Sequence, residues 1–249
     1  MKSIVCIKRV PDSETRVTIS ADGRSLDSSG VKYVMNPYDE FALEEALARK
    51  EAAGEGSVTV VTLGPEAAKD TLRSALAMGA DEALLLRADP PADGLVVARA
   101  LAEALREREF DLLLFGKQAI DDDNMQVPAM VAELLELPCA TVVTGLEIEN
   151  GHVTARREVE GGHEVVEFDL PGVIATQKGL NKPRHPSGRG IMMAKKKPLE
   201  ERDVELEASG LEVLELTPPP PRPEPEIVGE GADAVPELVR RLREEARVL

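Results

Sequence analysis

The chain has 249 residues, enough for one domain with an appendage and for a core that needs no metal or disulfide bond. Asp and Glu number 46 against 30 Lys and Arg, and the net charge of -16 argues against a surface built to follow nucleic acid. The chain has no Trp, only four Phe and two Tyr, and no apolar run of membrane-spanning length. We therefore expect neither base stacking nor membrane insertion.

The first predicted element is a buried strand at residues 3–7, which follows Met1 without a secretory or transit segment. Cys6 and Cys139 are too few for a disulfide framework and lie in apolar runs. Both observations favour a cytoplasmic protein.

Strand and helix patterns then alternate through the first half of the chain. Further buried strands are predicted at residues 57–63, 83–86 and 111–115, and helices at residues 36–49, 65–78, 94–108 and 125–135. This order predicts an α/β fold with a doubly wound, mainly parallel sheet of the Rossmann-like kind. In such sheets ligands bind beyond the carboxyl ends of the strands, here at Cys6–Arg9, Leu63–Gly64 and from Gly116 onward.

The second half has a different character. Segments 153–158 and 164–169 flank Gly161 and Gly162 and predict a β-hairpin insertion, followed by a strand at residues 170–176. A proline-rich linker at residues 218–225 precedes an amphipathic helix. We therefore predict a nucleotide-binding domain at residues 1–217 and a C-terminal arm at residues 218–249 that docks on another subunit.

Familiar catalytic motifs are missing from the sequence. Gly116 lacks the spacing of a P-loop, and no G-x-G-x-x-G follows the first strand. His152, His163 and His185 have no ligand-like spacing and are expected at the surface. No catalytic residue and no metal ligand is predicted.

Three consecutive acidic residues, Asp121 to Asp123, follow the predicted strand that ends near Gly116. They could bind a hard cation, cap the following helix, or accept hydrogen bonds from a ribose. In the last case Gly116 lets the backbone approach a ligand, and a helix that begins near Asn124 offers free N–H groups to a phosphate.

A basic segment at residues 178–197 carries seven Lys or Arg and no acidic residue. Its glycines and prolines predict a loop, and Ile191 to Met193 add an apolar edge. A solvated charge run is the simpler interpretation, but the combination favours transient docking of a partner protein.

Several sequence blocks resemble the β subunit of electron transfer flavoprotein. They are VKYVMNPYDEFALEEA (31–46), ALAMGAD (75–81), GKQAIDDD (116–123), LPGVIAT (170–176) and GLNKPRHPSGRGIMMAKKKP (179–198), together with the family's signature across residues 155–175. The resemblance covers the whole chain. It implies a Rossmann-like (adenine nucleotide hydrolase-like) fold without the usual glycine fingerprint.

The resemblance also implies a heterodimer with an α subunit that holds most of the FAD, while this subunit buries a structural AMP. Tyr38 would lie near the FAD of the α subunit. The residues implied to form the AMP site are Cys6, Asn36, Pro37, Tyr38, Asp39, Leu63, Gly116, Lys117, Gln118, Ala119, Ile120, Asp121, Asp122, Asp123, Asn124, Met125, Gln126 and Val127.

By the same resemblance, the chain is an electron-transfer carrier rather than an enzyme, with a role in fatty acid oxidation. Electrons would pass from acyl-CoA or related dehydrogenases to a membrane quinone oxidoreductase. The implied docking loop consists of Arg184, His185, Pro186, Ser187, Gly188, Arg189, Gly190, Ile191, Met192 and Met193, with Lys195 to Lys197 beside it. Its middle lacks the large apolar anchor of relatives, so that either Ile191 or Met192 replaces it or the dehydrogenase differs.

The loop after the aspartates also departs from the family. Met125 and Val127 stand where AMP-binding relatives have Asn and Thr. Bifurcating members, which hold a second FAD here and use NADH, usually have Asp-Gly-Asp followed by Thr, whereas Asp122 adds charge and bulk in this chain. AMP is therefore the preferred ligand and a second FAD the alternative. A stand-alone nucleotide-binding signalling module is a further alternative that the strand–helix pattern allows.

Overall fold

The computed structural model describes residues 1–222 and 224–249 and divides the chain into two compact units, Met1–Leu214 and Glu215–Leu249. The predicted linker at residues 218–225 includes Pro223, which lies outside the described residues. The other residues of the linker form neither helix nor strand. In the described part of the chain, no helix is both long and apolar enough to cross a bilayer.

The first unit alternates strands with helices. Its strands are β1 (Lys2–Cys6), β2 (Arg9–Pro11), β3 (Tyr33–Met35), β4 (Ser57–Gly64), β5 (Glu82–Arg87), β6 (Leu112–Gly116), β7 (Cys139–Glu149), β8 (His152–Val159), β9 (Gly162–Asp169), β10 (Gly172–Thr176) and β11 (Leu199–Asp203). Its helices are α1 (Pro37–Ala53), α2 (Lys69–Met78), α3 (Gly94–Arg106), α4 (Val127–Leu135) and α5 (Gly188–Ala194), and the second unit contains α6 (Val235–Glu244).

Nine strands form one sheet in the order β11-β5-β4-β1-β6-β10-β7-β8-β9. All neighbouring pairs from β11 to β7 are parallel, and only the β7–β8 and β8–β9 pairs are antiparallel. The chain proceeds from β1 to β4 and β5 on one side and then returns to β6 on the other side of β1. The prediction of a doubly wound, mainly parallel sheet with a β-hairpin insertion is confirmed, and strand order reverses at β1 and β6.

Two hydrophobic layers enclose this sheet. Apolar residues of α1 and α2, such as Leu43 and Leu72, form one layer, and those of α3 and α4, such as Leu105 and Val131, form the other. Because the central strands are covered on both faces, they read as continuous apolar runs in the sequence.

The structure corrects two predicted elements. Residues 188–194 are helical rather than a loop, because the Ser187 hydroxyl accepts a hydrogen bond from the N–H of Gly190 and caps α5. A side chain at Gly190 would collide with the carbonyl oxygen of Ala77, so this glycine permits α5 to pack on α2. Helix α4 begins at Val127 rather than near Asn124, because Met125 has a left-handed backbone (φ 56°).

Candidate functional site

A cavity of about 510 Å³ opens at the carboxyl ends of β1, β4 and β6, where strand order reverses. This is the position that the strand-end rule predicts. Among the residues predicted for the nucleotide, those that line the cavity are Cys6, Asn36, Asp39, Leu63, Gly116, Lys117, Gln118, Ala119, Asp121, Asp122, Asn124, Met125, Gln126 and Val127. Pro37, Tyr38, Ile120 and Asp123 do not line it.

Other parts of the cavity wall were not among the residues predicted for the nucleotide. Lys8 and Arg9 lie just beyond β1, and the Arg9 guanidinium stacks on the Tyr33 ring at 3.4 Å from its centroid. The rest of the wall includes Ile7, Pro65, Pro90, Pro91, Ala92, Gly94, Val97, Leu101, Phe115 and Pro128. The strand-end rule had pointed to Lys8 and Arg9, whereas Tyr33 reaches the cavity only through the β2–β3 hairpin.

Asn36 connects the start of α1 to the loop that follows β6. Its Nδ2 donates to Asp39 Oδ1 at 2.9 Å and to the Gln118 carbonyl at 2.8 Å, and its Oδ1 accepts from the Ile120 N–H at 3.2 Å. The side chain is buried, so these hydrogen bonds are shielded from water. Asn36 therefore fixes the backbone of the acidic loop, which we define as residues 117–126.

Asp39 is the second junction of this network. Its carboxyl group accepts hydrogen bonds from the Lys8 N–H at 2.7 Å, from Asn36 and from the Gly116 N–H at 3.0 Å. Burial raises the pKa of Asp39 to about 7, against the lowering effect of these hydrogen bonds. The carboxyl group thus ties β1, α1 and β6 together at the floor of the cavity.

The structure gives a packing reason for the glycine at position 116, which the sequence did not reveal. A Cβ atom there would lie 2.5 Å from Asp39 Oδ1 and 2.7 Å from the carbonyl carbon of Tyr38. The structure accounts for this glycine by the close approach of α1 to the end of β6, whereas one of the three interpretations of the sequence explained it by the approach of a ligand.

Lys8 pairs with two of the three acidic residues of the loop and offsets one of their negative charges. Its Nζ lies 2.9 Å from Asp121 Oδ1 and 2.9 Å from Asp122 Oδ2. Burial lowers the pKa of Lys8, but these two contacts outweigh burial and hold the pKa above its ordinary value. In residues 1–222 and 224–249, no group of three His, Cys, Asp or Glu side chains is arranged to hold a metal ion.

The first turn of α4 faces the cavity through Gln126, Val127 and Pro128. Within residues 1–222 and 224–249 no side chain caps this helix, so the interpretation of Asp121 to Asp123 as its cap is wrong. An uncapped helix start offers N–H donors and a partial positive charge to an anion, and here the donors come from the residues of the turn other than Pro128, which has no N–H. The left-handed backbones of Asp123 (φ 51°) and Met125 (φ 56°) turn the chain into this helix, and such backbone strain concentrates at functional sites.

The first residues of the predicted docking loop, 184–187, precede α5, and the remaining residues, 188–193, lie within this helix. Ile191, Met192 and Met193 are exposed on it, as is Arg189. Arg184 instead binds Glu44 and Glu51 of α1, with Nε 2.8 Å from Glu44 Oε2. The guanidinium of Arg184 thus fastens this segment to the domain.

Lys197 and Arg73 fasten the other end of the same segment. Lys197 Nζ donates to the Leu76 and Ala80 carbonyls at 3.0 and 2.5 Å, beyond the end of α5. Arg73 donates to the Ala194 carbonyl at 2.6 Å and to the Lys197 carbonyl at 3.1 Å. Lys195 and Lys196 are exposed.

The sequence pattern of the electron transfer flavoprotein domain matches residues 24–207. The electron transfer flavoprotein subunit beta of Bacillus subtilis is 41% identical over the full length of both chains. That of Syntrophomonas wolfei is 42% identical over 88% of this chain and 86% of its own, and that of Pongo abelii is 36% identical over 100% and 99%. The chain therefore belongs to the electron transfer flavoprotein family and is one of its β subunits.

Proposed function

We propose that the cavity at the ends of β1, β4 and β6 holds AMP as a structural brace. The observation that carries this proposal is the uncapped start of α4, which faces a cavity of about 510 Å³, within the usual range for small-molecule sites. N–H groups at this helix start suit a phosphate monoester, and they compensate for the side-chain donors absent at Met125 and Val127. Gln126, Asp121 and Asp122 supply the polar side chains for the remainder of the nucleotide.

The same chain would form one wall of the FAD site of an α subunit in a heterodimer. Tyr38 lies in the first turn of α1, is only partly buried and does not line the cavity, so its ring is available to a second group. Lys117 Nζ lies 5.3 Å from the centroid of this ring. Bound FAD would supply the acceptance and release of electrons, while Tyr38 and Lys117 would shape and polarise its surroundings.

Helix α5 would provide the surface for an electron donor of the acyl-CoA dehydrogenase type, and the complex would pass electrons to a quinone oxidoreductase. Its exposed Ile191, Met192 and Met193 are the large apolar side chains of the docking loop. They fit the role of the missing central anchor, with Arg189 as the charged residue beside them.

AMP is preferred over the second FAD of bifurcating members. Asp122 is held in place by its ion pair with Lys8 and by a hydrogen bond that the Asn124 N–H donates to Asp122 Oδ1 at 3.3 Å. Because Asp122 lines the cavity, its fixed side chain takes up space that the longer pyrophosphate of FAD would need.

The test is a count of cofactors in the heterodimer, which is purified after co-expression with its α subunit. Acid extraction followed by chromatography is expected to release one FAD and one AMP per heterodimer. Two FAD and no AMP would establish the bifurcating alternative instead. A β chain that purifies without a flavoprotein partner would contradict the proposal altogether.

A further inference from the structure

Lys8 is held in position along both its backbone and its side chain. Its N–H donates to Asp39 Oδ2 at 2.7 Å, and its carbonyl accepts from the Asn36 N–H at 2.9 Å. Both partners are buried, so the backbone of Lys8 is fixed where β1 ends. The side chain then extends along the cavity wall to Asp121 and Asp122, 113 and 114 residues away in sequence.

The two carboxylates would otherwise oppose a phosphate in the cavity. They stand in the loop that leads to the start of α4, and both line the cavity. A phosphate monoester carries about 1.5 to 2 negative charges at neutral pH, so two uncompensated carboxylates nearby would weaken its binding. Among the ion pairs of the described residues, Lys8 is the partner of both.

We propose that Lys8 is the residue that makes this cavity selective for the phosphorylated form of an adenine nucleoside, because it offsets one of the two negative charges of the Asp121–Asp122 pair. This inference rests on the proposed AMP site and adds a specificity-determining residue to it. Ribose and adenine contacts are common to AMP and adenosine, so the effect of Lys8 is confined to the difference between these two ligands.

The experiment measures the affinities of AMP and adenosine for the nucleotide-depleted heterodimer by isothermal titration calorimetry. The quantity of interest is the phosphate preference, defined as the dissociation constant of adenosine divided by that of AMP. Lys8→Met is expected to lower this preference about tenfold, because it removes one positive charge near the phosphate in a partly desolvated site. Lys8→Arg keeps the charge and is expected to retain the preference.

A second variant moves the preference in the opposite direction. Asp121→Asn combined with Asp122→Asn removes the carboxylates and leaves the charge of Lys8, so the phosphate preference is expected to rise. If these substitutions also weaken binding of the ribose, both ligands are affected equally and the ratio does not change on that account. This variant also decides the matter if the Lys8→Met heterodimer does not assemble.

The outcomes separate the two proposals. If wild type binds AMP but Lys8→Met retains its phosphate preference, or the double asparagine variant does not raise it, the role of Lys8 is wrong and the AMP site stands. If wild type binds neither ligand, the AMP site is wrong, and the role of Lys8 falls with it.

Discussion

The carboxyl group of Asp39 is buried among three N–H donors that belong to separate parts of the chain. Its pKa lies near 7 in the folded protein, above the ordinary value of 3.8. Between these two pH values the native state binds more protons than the unfolded state, so the contribution of Asp39 to stability decreases as the pH rises. Asp39 therefore contributes most to the stability of the folded protein at acidic pH.

Because protonation of Asp39 is linked to folding, we predict that the difference in unfolding free energy between wild type and Asp39→Asn depends on pH. The unfolding free energy of the wild-type heterodimer minus that of the variant should fall as the pH is raised from about 4 to about 7. Urea unfolding at several pH values measures it, and Asp70→Asn on the exposed side of α2 is the control. A difference that does not change with pH would show that Asp39 titrates at its ordinary value.

Gly116 gives a second prediction at the residue scale. The methyl group of Gly116→Ala would overlap Asp39 and the backbone of Tyr38, which cannot move without displacing the start of α1. We expect a loss of about 1–3 kcal/mol in unfolding free energy, together with weaker retention of the AMP that we propose for the cavity. Gly162→Ala, whose added Cβ would have no neighbour within 4 Å, should change stability by about 0.5 kcal/mol or less. Equal effects of the two variants would contradict the packing argument.

At the scale of elements, apolar pattern predicted the central strands well because burial on both faces leaves uninterrupted apolar runs, such as LLLFG in β6. The same pattern could not reveal β11, whose LEERD sequence is charged and which is a strand only because it pairs with β5. It also missed the long β7, which is partly exposed along its length. Helix α5 was hidden for another reason, since Gly188 and Gly190 indicate a loop until the packing against Ala77 is known.

The candidate site was predictable to a similar degree. Strand-end geometry and the family resemblance together located the cavity. The phosphate selectivity that we propose for Lys8, however, depends on ion pairs with residues more than a hundred positions away. Sequence order alone does not specify which charges meet across such a distance. The same holds for Arg184, a residue of the predicted docking loop whose ion pairs are with Glu44 and Glu51.

The attachment of α5 can be tested directly. Arg73→Met removes the donor to two carbonyls at the end of this helix, and we expect the local opening free energy of residues 188–197 to fall by about 1–3 kcal/mol. Hydrogen exchange of the heterodimer measures this change. Arg106→Met removes a similar bond, from Arg106 to the Leu134 carbonyl, and should leave exchange in α5 unaltered. Unchanged exchange in Arg73→Met would mean that Lys197 and the packing on α2 suffice.

On the scale of the whole molecule, a chain with a net charge of -16 presents exposed cations beside the apolar surface of α5. Charge reversal at Arg189 should slow reduction of the complex by the dehydrogenase that we propose as its electron donor, with a larger effect at low ionic strength because salt screens exposed charges. Stopped-flow reduction measures the rate, and Arg189→Lys is the charge-conserving control. A rate that Arg189→Glu leaves unchanged at every ionic strength would remove this residue from the docking surface.

The central claim is that the crevice at the reversal of strand order is filled by a mononucleotide inside a flavoprotein heterodimer. A crystal structure of the heterodimer, purified without added nucleotide, tests this claim most directly. The account predicts density for AMP between the ends of β1 and β6, with the phosphate at the N–H groups that begin α4. Density for a second flavin, or a crevice closed by protein side chains, would contradict it.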